Sequence, residues 1–142
     1  MDITLLTEIT DEVYEAFARL IPQLSTSAAI PSKAELQEIA DNDSLLIARD
    51  SQQNGKIVGT LTLVTFRIPT GIRSWIEDVV VDTAERGKGI GEALTFAALK
   101  HAAELGAKTV DLTSRPSREA ANRLYQRVGF ELRESNLYRY KL

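Results

Sequence analysis

The sequence predicts an α/β chain built on a mixed sheet with helices on both faces. Two observations carry this. Segments of strand composition separated by hairpin-type turns fill residues 44–82, and a strand, a glycine-rich turn, a long helix and another strand follow in residues 79–113. That second arrangement is a crossover unit, which places at least one parallel pair in an otherwise antiparallel sheet. A length of 142 residues is about that of one average domain, so residues 1–142 are read as a single domain.

The elements follow in order. Ile3, Leu5 and Ile9 among Thr and Glu read as a short strand ending near Thr7. Thr10 and Asp11 then cap a helix over Val13, Phe17, Leu20 and Ile21, which Pro22 ends or redirects. Residues 32–40 predict a second helix, with Ser32 as N-cap and Glu35 as the reciprocal acid of a capping box. The Ser, Thr and Ala-rich stretch between them, residues 23–31, reads equally as a border of a substrate cleft or as a surface connection. Residues 44–50 and 56–66 predict strands joined by a turn with Asn54-Gly55 at its tip, and residues 72–82 predict the next strand after Pro69-Thr70-Gly71. Val79-Val80-Val81 does not alternate and suggests burial on both faces. A helix over residues 88–105, a strand over 109–113, a helix over 117–127 and two short strands within 130–142 complete a sheet of six to seven strands with about four helices.

Composition narrows the function. Seventeen Lys plus Arg against twenty Asp plus Glu give a net charge of -3, a balance that does not favour a nucleic-acid partner. The absence of cysteine excludes a disulfide scaffold, a thiolate metal site and a cysteine nucleophile. With a single histidine and no calcium-loop spacing, no metal site is expected. The lone His101 lies mid-helix on the stripe with Leu94 and Leu105 and reads as a packing residue. No apolar run approaches the roughly 20 residues of a membrane span, and the first residues lack a signal-like pattern, so a soluble cytoplasmic location without a membrane partner is the expectation. A homodimer stays open.

The motif richest in chemistry is Arg86-Gly87-Lys88-Gly89-Ile90-Gly91, between a strand and a long helix. Unpaired N–H groups and partial positive charge at a helix start favour a phosphate or pyrophosphate. Glycines allow a sharp turn and close backbone approach, and Arg86 and Lys88 add charge. A P-loop is excluded, because the Lys followed by Ser or Thr is absent. The dinucleotide fingerprint fails as well, since Glu92 stands where its third glycine belongs.

These residues resemble the GNAT N-acetyltransferase family. Its pyrophosphate pattern is matched by Arg86, Gly89 and Gly91 after Val79-Val80-Val81, and its second recurrent segment by Ala121, Tyr125, Gly129 and Phe130. The resemblance implies a GNAT-like acyl-CoA N-acyltransferase fold and acetyl transfer from acetyl-CoA to a primary amine of a small molecule or peptide by direct attack. It implies that the strand holding Val79, Val80 and Val81 splays from the strand after it, so that the pantetheine arm pairs with that backbone, while Gly87, Lys88, Gly89, Ile90 and Gly91 hold the pyrophosphate. Tyr125 would protonate the departing thiolate. The sequence departs from the family at Arg118, where many members have Asn; Asn122 is the nearby amide, and either is a candidate for contact with the cofactor's outer part.

An attacking amine must be neutral, whereas a free alkyl amine has a pKa of about 10, so a base or a water chain has to remove a proton. Glu77 interrupts an apolar strand just before the acyl site and is the preferred base, directly or through water; Asp78 is the alternative. Adjacent strand residues face opposite sides, so only one of the two lines a cleft unless a bulge intervenes. The backbone N–H of Val79 is a candidate donor to the oxygen that gains charge during transfer. Candidate acceptor-binding residues are Phe66, Arg67, Arg73, Trp75, Arg115 and Tyr138. The arginines suit a carboxylate or phosphate, while the acidic balance suits a polyamine or peptide amine. A non-catalytic acyl-CoA-binding sensor or structural subunit of the same fold is the alternative function.

Overall fold

Local capping chemistry starts both N-terminal helices. In the computed structural model, which describes all 142 residues, helix α1 (Asp11–Leu24) begins where the Thr10 hydroxyl accepts from the Val13 N–H. Helix α2 (Lys33–Asn42) begins with the expected capping box: the Glu35 N–H donates to Ser32 Oγ at 3.1 Å, and the Ser32 N–H donates to Glu35 Oε1 at 3.0 Å. Pro22 does not end α1; it sits inside the last turn. The intrahelical bond lost there is that to the Ala18 carbonyl, and the neighbouring Arg19 carbonyl accepts from the Gln23 side-chain amide.

The chain forms two compact units, Met1–Leu112 and Thr113–Leu142. The first contains the whole sheet, ordered β1 (Asp2–Leu5), β2 (Ser44–Asp50), β3 (Lys56–Ile68), β4 (Gly71–Val81) and β5 (Val110–Asp111). Pairing is antiparallel as far as β4, and β5 runs parallel to β4. The mixed sheet is as expected, but it has five strands rather than six to seven. The β2–β3 turn is tipped by Asn54 at φ 57° and Gly55 at φ 75°, both left-handed, as the Asn-Gly pair suggests.

Alternation along the strands assigns the faces. Leu45 and Ile47 of β2 and Val80 of β4 pack with Val13, Phe17 and Leu20 of α1 and Leu36 of α2. On the opposite face Gly59 of β3 meets Ile90 and Leu94 of helix α3 (Ile90–Glu104), and His101 of α3 hydrogen-bonds the Ser44 hydroxyl through Nε2 at 2.9 Å. A bidentate pair from Arg49 of β2 to Glu12 of α1, at 3.0 and 2.8 Å, fixes α1 along the sheet. No helix is long and apolar enough to cross a membrane.

The second unit holds helix α4 (Glu119–Val128), closed by Gly129 at φ 121°. Residues 130–142 do not form the two expected strands, and Leu132, Leu137, Tyr138 and Tyr140 are exposed. Strand composition expresses a preference for a pleated, half-buried surface; without a ladder partner and a covered face, a short hairpin is at best marginal.

Candidate active site

Two backbone features of the first unit create the site. In β4, Thr62 pairs with Glu77 and Thr60 with Val80, so Asp78 and Val79 together oppose the single residue Leu61. This is a β-bulge, and Asp78 takes φ 48°, a left-handed conformation that Asp tolerates better than most residues. On its other edge β4 pairs with β5 only at Ser74 and Trp75. Beyond Trp75, β4 carries no further β5 ladder.

The second feature is the turn after β4. Gly87 at φ 80° and Gly89 at φ 79° are both left-handed, and Gly89 is the N-cap of α3 without a side-chain cap. A Cβ built on either glycine meets nothing within 4 Å. The fifteen-residue helix thus begins next to open space at the two glycines, and the unpaired N–H groups of a helix start favour an anion. Arg86, Gly87, Lys88 and Gly89 are exposed, Gly91 is half-buried, and Ile90 turns its side chain into the core.

Residues that were not anticipated hold this loop from behind. Asp82 and Glu85 are buried carboxylates. Asp82 accepts from the Ala84 N–H and pairs with Arg19 Nε at 3.3 Å. Glu85 accepts from Lys88 Nζ at 2.5 Å and from Gln53 Nε2 at 3.0 Å, and these two bonds, with the Lys88 charge, hold its carboxyl below the usual carboxylate range. The same pairing raises the Lys88 ammonium above its ordinary value. Lys88 is thus engaged with a buried acid, and Arg86 is the loop's cation without an ion pair. The Thr83 N–H donates to Gln23 Oε1 at 2.8 Å and ties the loop to α1. The legible signal was the pair of acids on either side of Thr83 and Ala84 in a turn otherwise suited to anions.

A cavity of about 410 Å³ opens between α1, α2 and the sheet. Its walls include Phe17, Ile21, Leu24, Leu36 and Ile39, and Ser25, Thr60, Thr62 and Asp78 contribute its polar part. Glu77 shares the Thr62 face by register, yet Asp78, brought round by the bulge, is the carboxylate that lines the cavity. The condition under which both acids serve one face is therefore met. Glu77 and Asp78 are both exposed, and neither acid is in an ion pair. Val80 is buried, whereas Val79 and Val81 are half-buried rather than covered on both sides.

Phe66, Arg67, Arg73 and Trp75, the expected acceptor residues of the first unit, do not line this cavity. Phe66 and Arg67 border a separate cavity of about 320 Å³ at the far end of the β3–β4 hairpin, with Ile72 and Leu105. Arg73 pairs with Phe66 across that hairpin and donates to the Thr70 hydroxyl, and Trp75 is half-buried opposite Val64.

In the second unit Tyr125 is half-buried and meets Phe130 edge-on, with ring centroids 5.7 Å apart. Burial raises the Tyr125 phenol, and the Arg118 charge offsets part of that rise. Arg118 is the exposed N-cap residue of α4. The Asn122 amide donates to the carbonyls of Arg115 at 2.9 Å and Arg118 at 2.8 Å, so it serves the start of α4. Arg115 and Tyr138 are exposed.

The sheet order, the bulged β4 and the glycine-rich start of α3 define an acetyltransferase architecture. The chain belongs to the Acetyltransferase (GNAT) family, whose sequence profile matches residues 8–130. It is 32% identical over 91 residues to a mycothiol acetyltransferase of Kytococcus sedentarius, a match covering 64% of this chain and 30% of that protein. It is 36% identical over 88 residues to N-alpha-acetyltransferase MAK3 of Arabidopsis thaliana, covering 62% of this chain and 46% of the relative. The chain thus spans less than half the length of these relatives. An aminoglycoside acetyltransferase, meta-AAC0020, from an uncultured soil metagenomic sample shares the fold with a TM-score of 0.83 at 24% identity, covering 99% of this chain and 95% of that one.

Proposed function

We propose that residues 1–142 act as one acetyl-CoA-dependent N-acetyltransferase domain, moving the acetyl group to a primary amine of a small molecule or peptide by direct attack. One observation carries this reading: a β-bulge at Asp78 and Val79 leads within one short turn into an uncapped helix start whose glycines leave room for an anion. Bound acetyl-CoA supplies an activated thioester carbonyl. Family membership supports the choice of acyl donor, and the named acetyltransferases it resembles support an amine acceptor.

In this reading the N–H groups at the start of α3 hold the pyrophosphate, aided by Arg86. Lys88, neutralised by Glu85, acts chiefly to shape the loop. The Val79 N–H donates to the carbonyl oxygen as negative charge grows on it, a role in which a fixed backbone donor is effective because it needs no reorganisation. Glu77 takes the amine proton, directly or through water. Tyr125 gives its proton to the thiolate, and its raised phenol keeps that proton in place at neutral pH.

Thiol release from acetyl-CoA across a mixed panel of amines, compared among the parent chain, Glu77→Gln and Tyr125→Phe, tests this. The expected result is amine-dependent release that falls in both variants while acetyl-CoA affinity holds. Tight cofactor binding with no release on any amine would instead identify a non-catalytic acyl-CoA-binding sensor or structural subunit.

A further inference from the structure

The 410 Å³ cavity has a chemical character more specific than a general amine site. Its apolar walls come from two helices, the segment between them and the sheet: Phe17 and Ile21 of α1, Pro31 of the connection, Leu36 and Ile39 of α2, and Leu45 of β2. Asp78 is the single ionisable residue among the lining groups, and no lysine or arginine reaches the cavity. The Thr60 hydroxyl donates to the Leu46 carbonyl at 2.8 Å, which leaves its oxygen an acceptor.

We propose that the acceptor is a small primary amine carried on an apolar, anion-free body, which fills this cavity and sets its nitrogen beside Asp78. The proposal rests on the acetyl-transfer reading and adds to it the class of acceptor. A phosphate or carboxylate on the acceptor would enter an apolar space without a cation and beside a like charge, and such desolvation is unfavourable. A polyamine would place its second ammonium against aliphatic walls with the same result. An apolar body instead removes the walls from water, which is favourable. The cavity corresponds to the liquid volume of on the order of a dozen waters, room for an arylalkyl or medium-length alkyl group. The bulge is what makes this pocket amine-directed, because it turns Asp78 onto the face that holds the apolar walls.

The test is kcat/KM at saturating acetyl-CoA for n-alkylamines from ethylamine to hexylamine, for phenethylamine, and for glucosamine 6-phosphate, spermidine and a leucyl dipeptide. Each added methylene is expected to raise kcat/KM about three- to fourfold until the cavity fills, with phenethylamine far above glucosamine 6-phosphate and spermidine. Ala29 is an exposed wall residue, so Ala29→Trp should fill the cavity and keep the fold. That variant is expected to lose at least tenfold on hexylamine with an unchanged acetyl-CoA Kd and melting temperature. A flat chain-length series, preference for glucosamine 6-phosphate or spermidine, or indifference to Ala29→Trp would overturn the proposal. A leucyl dipeptide that outruns the free amines would overturn the small-molecule assignment. If no amine is turned over, the acetyl-transfer reading falls by itself; calorimetric titration of CoA-loaded protein with hexylamine then decides the cavity, binding abolished by Ala29→Trp supporting it and no binding overturning it.

Discussion

Gly59 joins the stability of the fold to the position of the anion loop. It lies inside β3, in its first third, opposite Val81 of β4. A Cβ added there would stand 3.1 Å from Ile90 Cγ2, 3.1 Å from the Val80 carbonyl oxygen and 3.2 Å from Leu94 Cδ1. The carbonyl belongs to the sheet and yields little. Ile90 and Leu94 are buried at 2% and 0% exposure, so relief requires α3 to lift from the sheet at its first turn. Overpacking of this kind costs about 1–3 kcal/mol. The entropy that Ala removes from the unfolded chain returns about 0.4–1 kcal/mol, which leaves a net loss of roughly 1–2 kcal/mol for Gly59→Ala. For a domain of this size the melting temperature should fall by roughly 3–6 °C. Because Gly89 is the N-cap of the same helix, acetyl-CoA binding should weaken several-fold in parallel. Urea unfolding followed by circular dichroism gives the first quantity and calorimetric titration the second. Gly55→Ala is the control: it strains a left-handed turn but meets no atom within 4 Å, so it should lose stability with no effect on acetyl-CoA. A Gly59→Ala protein as stable as the parent and binding equally well would refute the close-packing explanation.

Leu20 is fully buried in the α1 face of the core, and Leu20→Ala should cost about 2–5 kcal/mol in denaturant unfolding. Glu85 has its carboxyl held low by Lys88 and Gln53; a carboxyl lowered on folding stabilises above its unfolded value of about 4.3 and loses that contribution as pH falls through the lower folded value. Melting temperatures measured from neutral pH downward should therefore show an acid limb that Glu85→Gln flattens. For Tyr125→Phe, loss of a general acid should lower kcat by about 10²–10⁴, and the raised phenol predicts that the parent's kcat shows no Tyr125 titration between neutrality and its ordinary value of about 10.

The parts of the fold legible in the sequence are those fixed by short-range chemistry. The Ser32 and Glu35 capping box, the Asn54-Gly55 turn and the strand-to-glycine-to-helix passage at Arg86 through Gly91 depend on neighbours in sequence, and each stands where it was expected. What escaped depends on partners distant in sequence. The bulge at Asp78 follows from register against β3, and its only trace is two adjacent acids in an apolar strand. Glu77 interrupts an apolar strand, yet with Asp78 it forms the strand's exposed stretch. Gly59 carried a signal that was available: an isolated glycine inside a strand often marks close approach of another element. The cavity walled by Phe17, Ile21 and Leu36 brings together residues distant in sequence, which neither charge nor local pattern reveals. Residues 130–142 have strand-like composition, and composition alone supplies no ladder partner.

The most direct test of acetyl transfer is product analysis by mass spectrometry after the protein is incubated with acetyl-CoA and hexylamine, with free thiol measured in the same samples. The account predicts N-hexylacetamide in step with CoA release, and loss of both when Gly89→Val fills the open space at the start of α3. Thiol release without an N-acetylated product, or product formation that survives Gly89→Val unchanged, would contradict it.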